Sequence, residues 1–151
     1  MLRGARLAVD WVRLYKCSKR KDGKEFERVE GKRGKMWAKV ESVYDGDTFT
    51  ALIVHDGSVC RRRCRCSGYD SPEMRGPNAD KPRAEAAKKE LETVLPASPF
   101  LMQYTGFDKY GRLLVSFDVG GKSLCQHMVD EGHGYLYDGG KKRTQKEAEG
   151  G

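Results

Sequence analysis

Two short acidic stretches stand out in the chain, Asp45-Gly46-Asp47-Thr48 and Asp70-Ser71-Pro72-Glu73. Arg65 precedes the second, and Asp108-Lys109-Tyr110-Gly111-Arg112 follows further on. Carboxylates can bind hard cations or move protons, and guanidiniums grip anionic oxygens in forked pairs. Taken singly, each stretch is also ordinary turn or loop chemistry, since Asp-Gly and Asp-Ser-Pro favour turns. Asp45 does not open an EF-hand, because the sixth loop position holds Thr50 instead of Gly and the twelfth holds Asp56 instead of Glu. Cys17, His55 and Cys125 show no recognisable zinc spacing with the cluster Cys60, Cys64 and Cys66. His127 and His133 read as helix surface and post-helix loop, neither with a partner that would make it catalytic.

The elements that must position these residues follow from periodicity. Trp37 to Tyr44 alternates like a half-buried strand, Asp45-Gly46 turns, and Asp47 to Val54 returns as a β-rich strand. A second turn, Asp56-Gly57, leads into a strand from Val59 to Gly68. Its parity puts Cys64 and Cys66 toward the core as small apolar residues, and Arg65 outward toward a solvated site. After a polar loop, a helix opens around Asp80 to Pro82, carries Ala84, Ala87, Leu91 and Val94 on one face, and closes at Pro96. Strands at Phe100–Tyr104 and Leu113–Phe117 flank a turn at Asp108 to Gly111. A short helix from Ser123 to Glu131 stops at Gly132. The order β-β-β-α-β-β-α is that of an α+β, OB-type five-stranded barrel, a fold that does not by itself establish function.

Composition bounds the rest. The 151 residues allow one domain with tails, divided here as a basic extension 1–35, a barrel domain 36–143 and a polar tail 144–151. Residues 1–36 hold 12 Lys and Arg against 5 Asp and Glu, whereas residues 37–151 hold 17 of each. The whole +7 therefore resides in the extension. Such an arm favours polyanions, nucleic acid before an anionic membrane surface, though a solvated tail explains the charge equally. Its local structure stays open between an amphipathic helix near residues 5–16 and a hairpin around Asp22-Gly23. No apolar run is long enough to span a membrane, and the N-terminus lacks a secretory signal pattern. The odd total of five cysteines does not suit a secreted disulfide scaffold. An intracellular, monomeric protein is expected.

Taken together, four separated motifs resemble the staphylococcal nuclease-like family, the thermonucleases. They are Asp45-Gly46-Asp47-Thr48, Arg65 to Glu73, Asp108 to Arg112, and Tyr137-Asp138-Gly139-Gly140-Lys141, in the family's order and internal spacing. The resemblance runs from about Lys39 to Lys141 and carries an OB barrel with it. It implies a calcium-dependent phosphodiesterase acting on DNA, with RNA as a further substrate. The metal carboxylates would fall on Asp47 and Asp70, and a carbonyl ligand on Ser71, where many members have Thr. The general base would fall on Glu73, and the phosphate-binding arginines on Arg65 and Arg112. Lys109, Tyr110 and Tyr137 would hold a terminal phosphate or stack a base, or else serve as surface and packing residues.

That assignment is chemically coherent. A phosphodiester repels nucleophiles, and its transition state carries more negative charge, which calcium and two guanidiniums can stabilise. Calcium acidifies bound water less than zinc does, so a separate base such as Glu73 is useful. One departure is expected at the end of the fold. The 14 residues after Tyr137 include Ala148 as their sole apolar member, so the expectation is a compact variant with a reduced C-terminal helix, an N-terminal extension that replaces that helix, or a fragment. The competing readings are a non-cleaving nucleic-acid-binding barrel, a scaffold recruited through the basic arm, and a PD-(D/E)xK nuclease. The last lacks a Glu-x-Lys at a sensible strand position after Asp70.

Overall fold

The computed structural model describes residues 34–55 and 58–137. Five strands close into a barrel: β1 (Gly34–Val43), β2 (Thr48–His55), β3 (Ser58–Cys66), β5 (Phe100–Phe107) and β6 (Leu113–Ser116). Their order around the barrel is β1-β2-β3-β6-β5, and β5 pairs back to β1. All neighbours are antiparallel except β3 and β6, which run parallel with Cys64 opposite Leu113. This is the expected OB-type α+β barrel.

Period-2 alternation fills the interior. Met36 and Ala38 of β1, Phe49, Ala51 and Ile53 of β2, and Cys60, Cys64 and Cys66 of β3 are buried together with Met102, Leu113 and Val115. Arg62 shares the inward parity of the cysteines but is only half buried, and its guanidinium lies 5.9 Å from the centre of the Phe107 ring. Burial pushes the Cys64 thiol up to about 12 and that of Cys60 to about 11, so both behave as small apolar fillers.

Two irregularities reshape the barrel. The register of β1 against β2 slips between Val40 and Ser42, where Glu41 is the extra residue of a bulge. A bulge also interrupts β5 against β6 between Tyr104 and Gly106, with Gly106 at φ +137°. Downstream of Glu41 the parity of β1 is reversed: Val43 packs on the core, and Tyr44 beyond the strand is 57% exposed.

Helix α1 (Lys81–Val94) starts where Asp80 accepts the Arg83 N–H at 3.3 Å, with Pro82 in its first turn. Ala84, Ala87 and Leu91 are its buried stripe, and Leu95, forced extended before Pro96, ends it. Helix α2 (Leu124–Asp130) is capped by Ser123, whose hydroxyl accepts the Gln126 N–H, and Gly132 at φ +76° follows its end. Two paired ribbons were not foreseen: β4 (Tyr69–Asp70) with β9 (Tyr135–Leu136), and β7 (Asp118–Val119) with β8 (Lys122–Ser123). Strands of two residues leave no periodic signal. The basic extension through residue 33 and the segment from residue 138 onward lie outside the described residues, as does the Asp56-Gly57 turn.

The turn between β1 and β2 is packed hard against the helix. A Cβ on Gly46 would lie 2.6 Å from the Ala87 Cβ and 2.7 Å from the Ser71 Cβ. Only a glycine lets α1, the acidic turn and the segment after β4 meet there.

Candidate active site

Asp47 leaves that turn nine-tenths buried, at 6% exposure. Its Oδ2 accepts the Ser71 N–H and the Ser71 hydroxyl, both at 3.0 Å, and its Oδ1 accepts the Thr48 hydroxyl at 2.8 Å. Asp45 shapes the turn by accepting the Asp47 N–H at 3.1 Å. The two carboxylates oppose each other electrostatically. Burial and then the nearby Asp47 charge push Asp45 up to about 6. Burial would also raise Asp47, but Arg65, the Ser71 N–H and the neighbouring hydrogen bonds outweigh it and hold Asp47 below the usual carboxylate range.

Arg65 stands opposite Thr48 in the β2–β3 register, on the outer side of the barrel. That side is not solvated here. The segment Tyr69-Asp70-Ser71 covers it, and Arg65 is 6% exposed, which corrects the expectation from strand parity. Its Nη2 donates to Asp70 Oδ1 at 2.7 Å, and its Nη1 donates to the Cys66 and Tyr69 carbonyls at 2.8 and 3.0 Å. Nη1 also lies 3.4 Å from Asp47 Oδ2. One guanidinium thus spans both buried carboxylates and the turn that joins β3 to β4. Tyr69 closes the floor, its hydroxyl donating to the Gly46 carbonyl at 2.7 Å.

Arg112 arrives from the turn before β6. Asp108 organises it, accepting the Arg112 N–H at 2.9 Å, the Arg112 Nε at 2.6 Å and the Tyr110 N–H at 2.9 Å. Arg112 Nη1 reaches the Thr48 hydroxyl at 3.4 Å and so adjoins Asp47. Tyr110 is 71% exposed, with the Lys109 ammonium and the Arg112 guanidinium 5.1 and 5.4 Å from its ring centre.

Asp47, Arg65, Asp70 and Ser71 therefore form one hydrogen-bonded cluster, which Arg112 joins through Thr48. Glu73 follows two residues beyond Ser71, half buried, and its carbonyl accepts the Asp80 N–H at 3.0 Å. Its Oε2 lies 3.8 Å from where a Cβ on Gly76 would be, so it faces the loop that precedes α1. Tyr137 is placed by its N–H, which donates to the Gly68 carbonyl at 3.0 Å, one step beyond the β4–β9 pairing. Among the described residues, no three His, Cys, Asp or Glu side chains gather into a metal cluster.

Residues 63–149, more than half of the chain, match the family model described as staphylococcal nuclease homologue. The chain belongs to the staphylococcal nuclease family. That places it among nuclease and nucleic-acid-binding proteins. The matched stretch contains Arg65, Asp70, Ser71, Glu73, Lys109, Tyr110, Arg112 and Tyr137, while Asp47 lies ahead of it. No curated protein is similar enough to the chain to count as a match. Among the described residues no helix is long and apolar enough to cross a membrane.

Sequence reasoning missed three positioning groups: Thr48, which connects Asp47 to Arg112; Asp108, which shapes the Arg112 turn; and Tyr69. The signal for Asp108 was present, since Asp followed by Gly at the fourth position is a turn in which the side chain bonds the backbone. For His127, too, the sequence carried no sign of a neighbour. Its Nε2 lies 2.8 Å from Glu90 Oε1, so it has a carboxylate partner that links α2 to α1.

Two outcomes test this geometry. Arg65→Ala leaves Asp47 and Asp70 buried without their countercharge, and should cost about 3–5 kcal/mol in urea unfolding without metal. A solvated Arg65 would instead leave stability unchanged. Burial acts to raise the Asp108 carboxyl, but its bonds from Arg112 and Tyr110 hold it below 3.8. A carboxylate depressed in this way stabilises the fold above its unfolded value and loses that contribution as pH falls through its folded value. Asp108→Asn should therefore be less stable than the parent at neutral pH, with the two curves converging in strong acid.

Proposed function

We propose that the chain is a Ca²⁺-dependent phosphodiesterase that hydrolyses DNA, and RNA as a further substrate. The observation that carries this reading is the pair of buried carboxylates, Asp47 and Asp70, facing Arg65 with Arg112 brought alongside by Thr48. Family membership supports the same reading.

The donor set suits a hard cation. Asp47 and Asp70 both face the Arg65 guanidinium, at 3.4 and 2.7 Å. Asp47, Asp70 and the Ser71 carbonyl are hard oxygen donors of the kind calcium takes. When bound, the ion would supply Lewis-acid stabilisation of the phosphate and a place to orient water. Glu73 accepts the proton of the attacking water. Arg65 and Arg112 donate to the phosphate oxygens as charge develops on them. Asp108 holds Arg112 in place, and Tyr110 and Tyr137 offer rings to a base, with Lys109 nearby for a terminal phosphate.

A non-cleaving nucleic-acid-binding barrel is the second reading, and one observation favours it. Both Nη atoms of Arg65 are engaged by protein oxygens. For catalysis, Arg65 would have to exchange Asp70 and Asp47 for phosphate oxygens, leaving those carboxylates to hold a bound cation.

Digestion of labelled single- and double-stranded DNA and RNA decides between them. Cleavage should appear with Ca²⁺, be weak with Mg²⁺ and stop in excess chelator, while Glu73→Gln lowers turnover by about 10²–10⁴-fold. Activity undiminished by chelator would sink the metal assignment, and wild-type turnover in Glu73→Gln would sink the base.

A further inference from the structure

The residues around Arg65 leave the next arginine on its face of β3 without a role. Side chains two apart on a strand share a face and stand about 6.6 Å apart. Arg63 is therefore the outward neighbour of Arg65, and it is exposed. The arginine beyond it, Arg61, is held by Glu41, with Nη2 to Oε1 at 2.9 Å. Arg63 has no carboxylate partner among the described residues. Its guanidinium instead stacks over the ring of Tyr44, 4.5 Å from the ring centre.

Tyr44 holds that position for structural reasons. The Glu41 bulge reverses the parity of β1, so the ring lies outside the barrel. Its N–H donates to the Thr48 carbonyl at 2.9 Å, which fixes its backbone at the turn that carries Asp47. Thr48 thereby anchors two aromatic neighbourhoods, Tyr44 through its carbonyl and the Arg112–Tyr110 pair through its hydroxyl. An exposed aromatic ring of this size, backed by a cation, has no packing purpose in the barrel, since its neighbour Val43 supplies the core contact.

The geometry points to a binding platform, formed by Tyr44 and Arg63, for an unpaired base of a single-stranded nucleic acid whose backbone continues past Arg65. The ring takes the base on its π-face, and the Arg63 charge faces the adjoining phosphate. A base inside a duplex has both faces covered by its stacked neighbours, so the platform selects unpaired strand. This assignment rests on the nucleic-acid reading above and extends it by naming a base contact beyond the reacting phosphate.

Binding is measured on the full chain carrying Glu73→Gln, so that substrate is held uncut. The probe is a single-stranded DNA of about eight nucleotides with a fluorescent purine analogue placed at each position in turn. One position should be quenched on binding, and Tyr44→Ala should abolish that quenching. Tyr44→Ala and Arg63→Ala should each weaken binding of the single strand by about 10-fold, with Tyr44→Phe close to the parent. In the chain that keeps Glu73, turnover of a dinucleotide should be unchanged by either substitution. Equal affinity of the Ala variants and the parent for the single strand would overturn the platform while leaving cleavage, and hence the nuclease reading, intact. Conversely, quenching that depends on Tyr44, together with no cleavage by the chain that keeps Glu73, would remove the nuclease reading and support the platform. A parent chain that binds no single strand would overturn it outright.

Discussion

Everything around the acidic cluster depends on where the Arg65 guanidinium goes. Its bonds to the Cys66 and Tyr69 carbonyls tie down the turn between β3 and β4. Its bond to Asp70 and approach to Asp47 balance two carboxylates that could not be desolvated alone. Removing two charges from water is costly, and their attraction offsets that cost only where geometry and further hydrogen bonds are good. Ser71 and Thr48 supply those further bonds to Asp47. The cluster is thus a satisfied network in which each member holds another, and its arrangement is set by the fold and not by local turn preference.

Close approach of backbones makes the network possible. Gly46 lets the β1–β2 turn touch Ala87 of α1 and the Ser71 side chain, and Tyr69 bonds the carbonyl of that same glycine. On the far side, a Cβ on Gly134 would come within 2.7 Å of the Tyr69 ring. Tyr69 is therefore clamped between the acidic turn and the strand that follows α2. Both helices act on the site from outside it: α1 through its small residues, α2 through the chain it delivers to β9. The His127–Glu90 contact ties the two helices to each other, so the supports of the site are themselves connected.

The barrel could be read from sequence because alternation is strong in β1, β2 and β3, and because Asp-Gly, Pro82 and Pro96 mark boundaries by known local physics. The residues of the cluster were findable too, as acidic and basic types in a recognisable order. What could not be read was their environment. Arg65 has outward parity in β3, and parity says nothing of a two-residue strand folding over it. The bulges at Glu41 and next to Gly106 are equally silent, since a single extra residue leaves alternation intact on either side. The contact between Glu90 and His127 joins residues 37 apart, set by how the helices pack.

Charge also acts locally in this barrel and not through a net field. Residues 37–151 carry equal numbers of basic and acidic side chains, so no long-range attraction for a polyanion arises from that part of the chain as a whole. The asymmetry lies in how the charges are paired. Arg61 is neutralised by Glu41, Arg65 by Asp47 and Asp70, and Arg112 by Asp108. Between Arg61 and Arg65, Arg63 leans on an aromatic ring and on no carboxylate among the described residues. An arginine already paired with a carboxylate must exchange that partner before it can grip a phosphate, whereas one resting on a ring keeps its charge available. The two faces of β3 therefore do two jobs at once: Cys60, Cys64 and Cys66 fill a crowded barrel interior, and Arg61, Arg63 and Arg65 lay a graded row of charge across its outer wall.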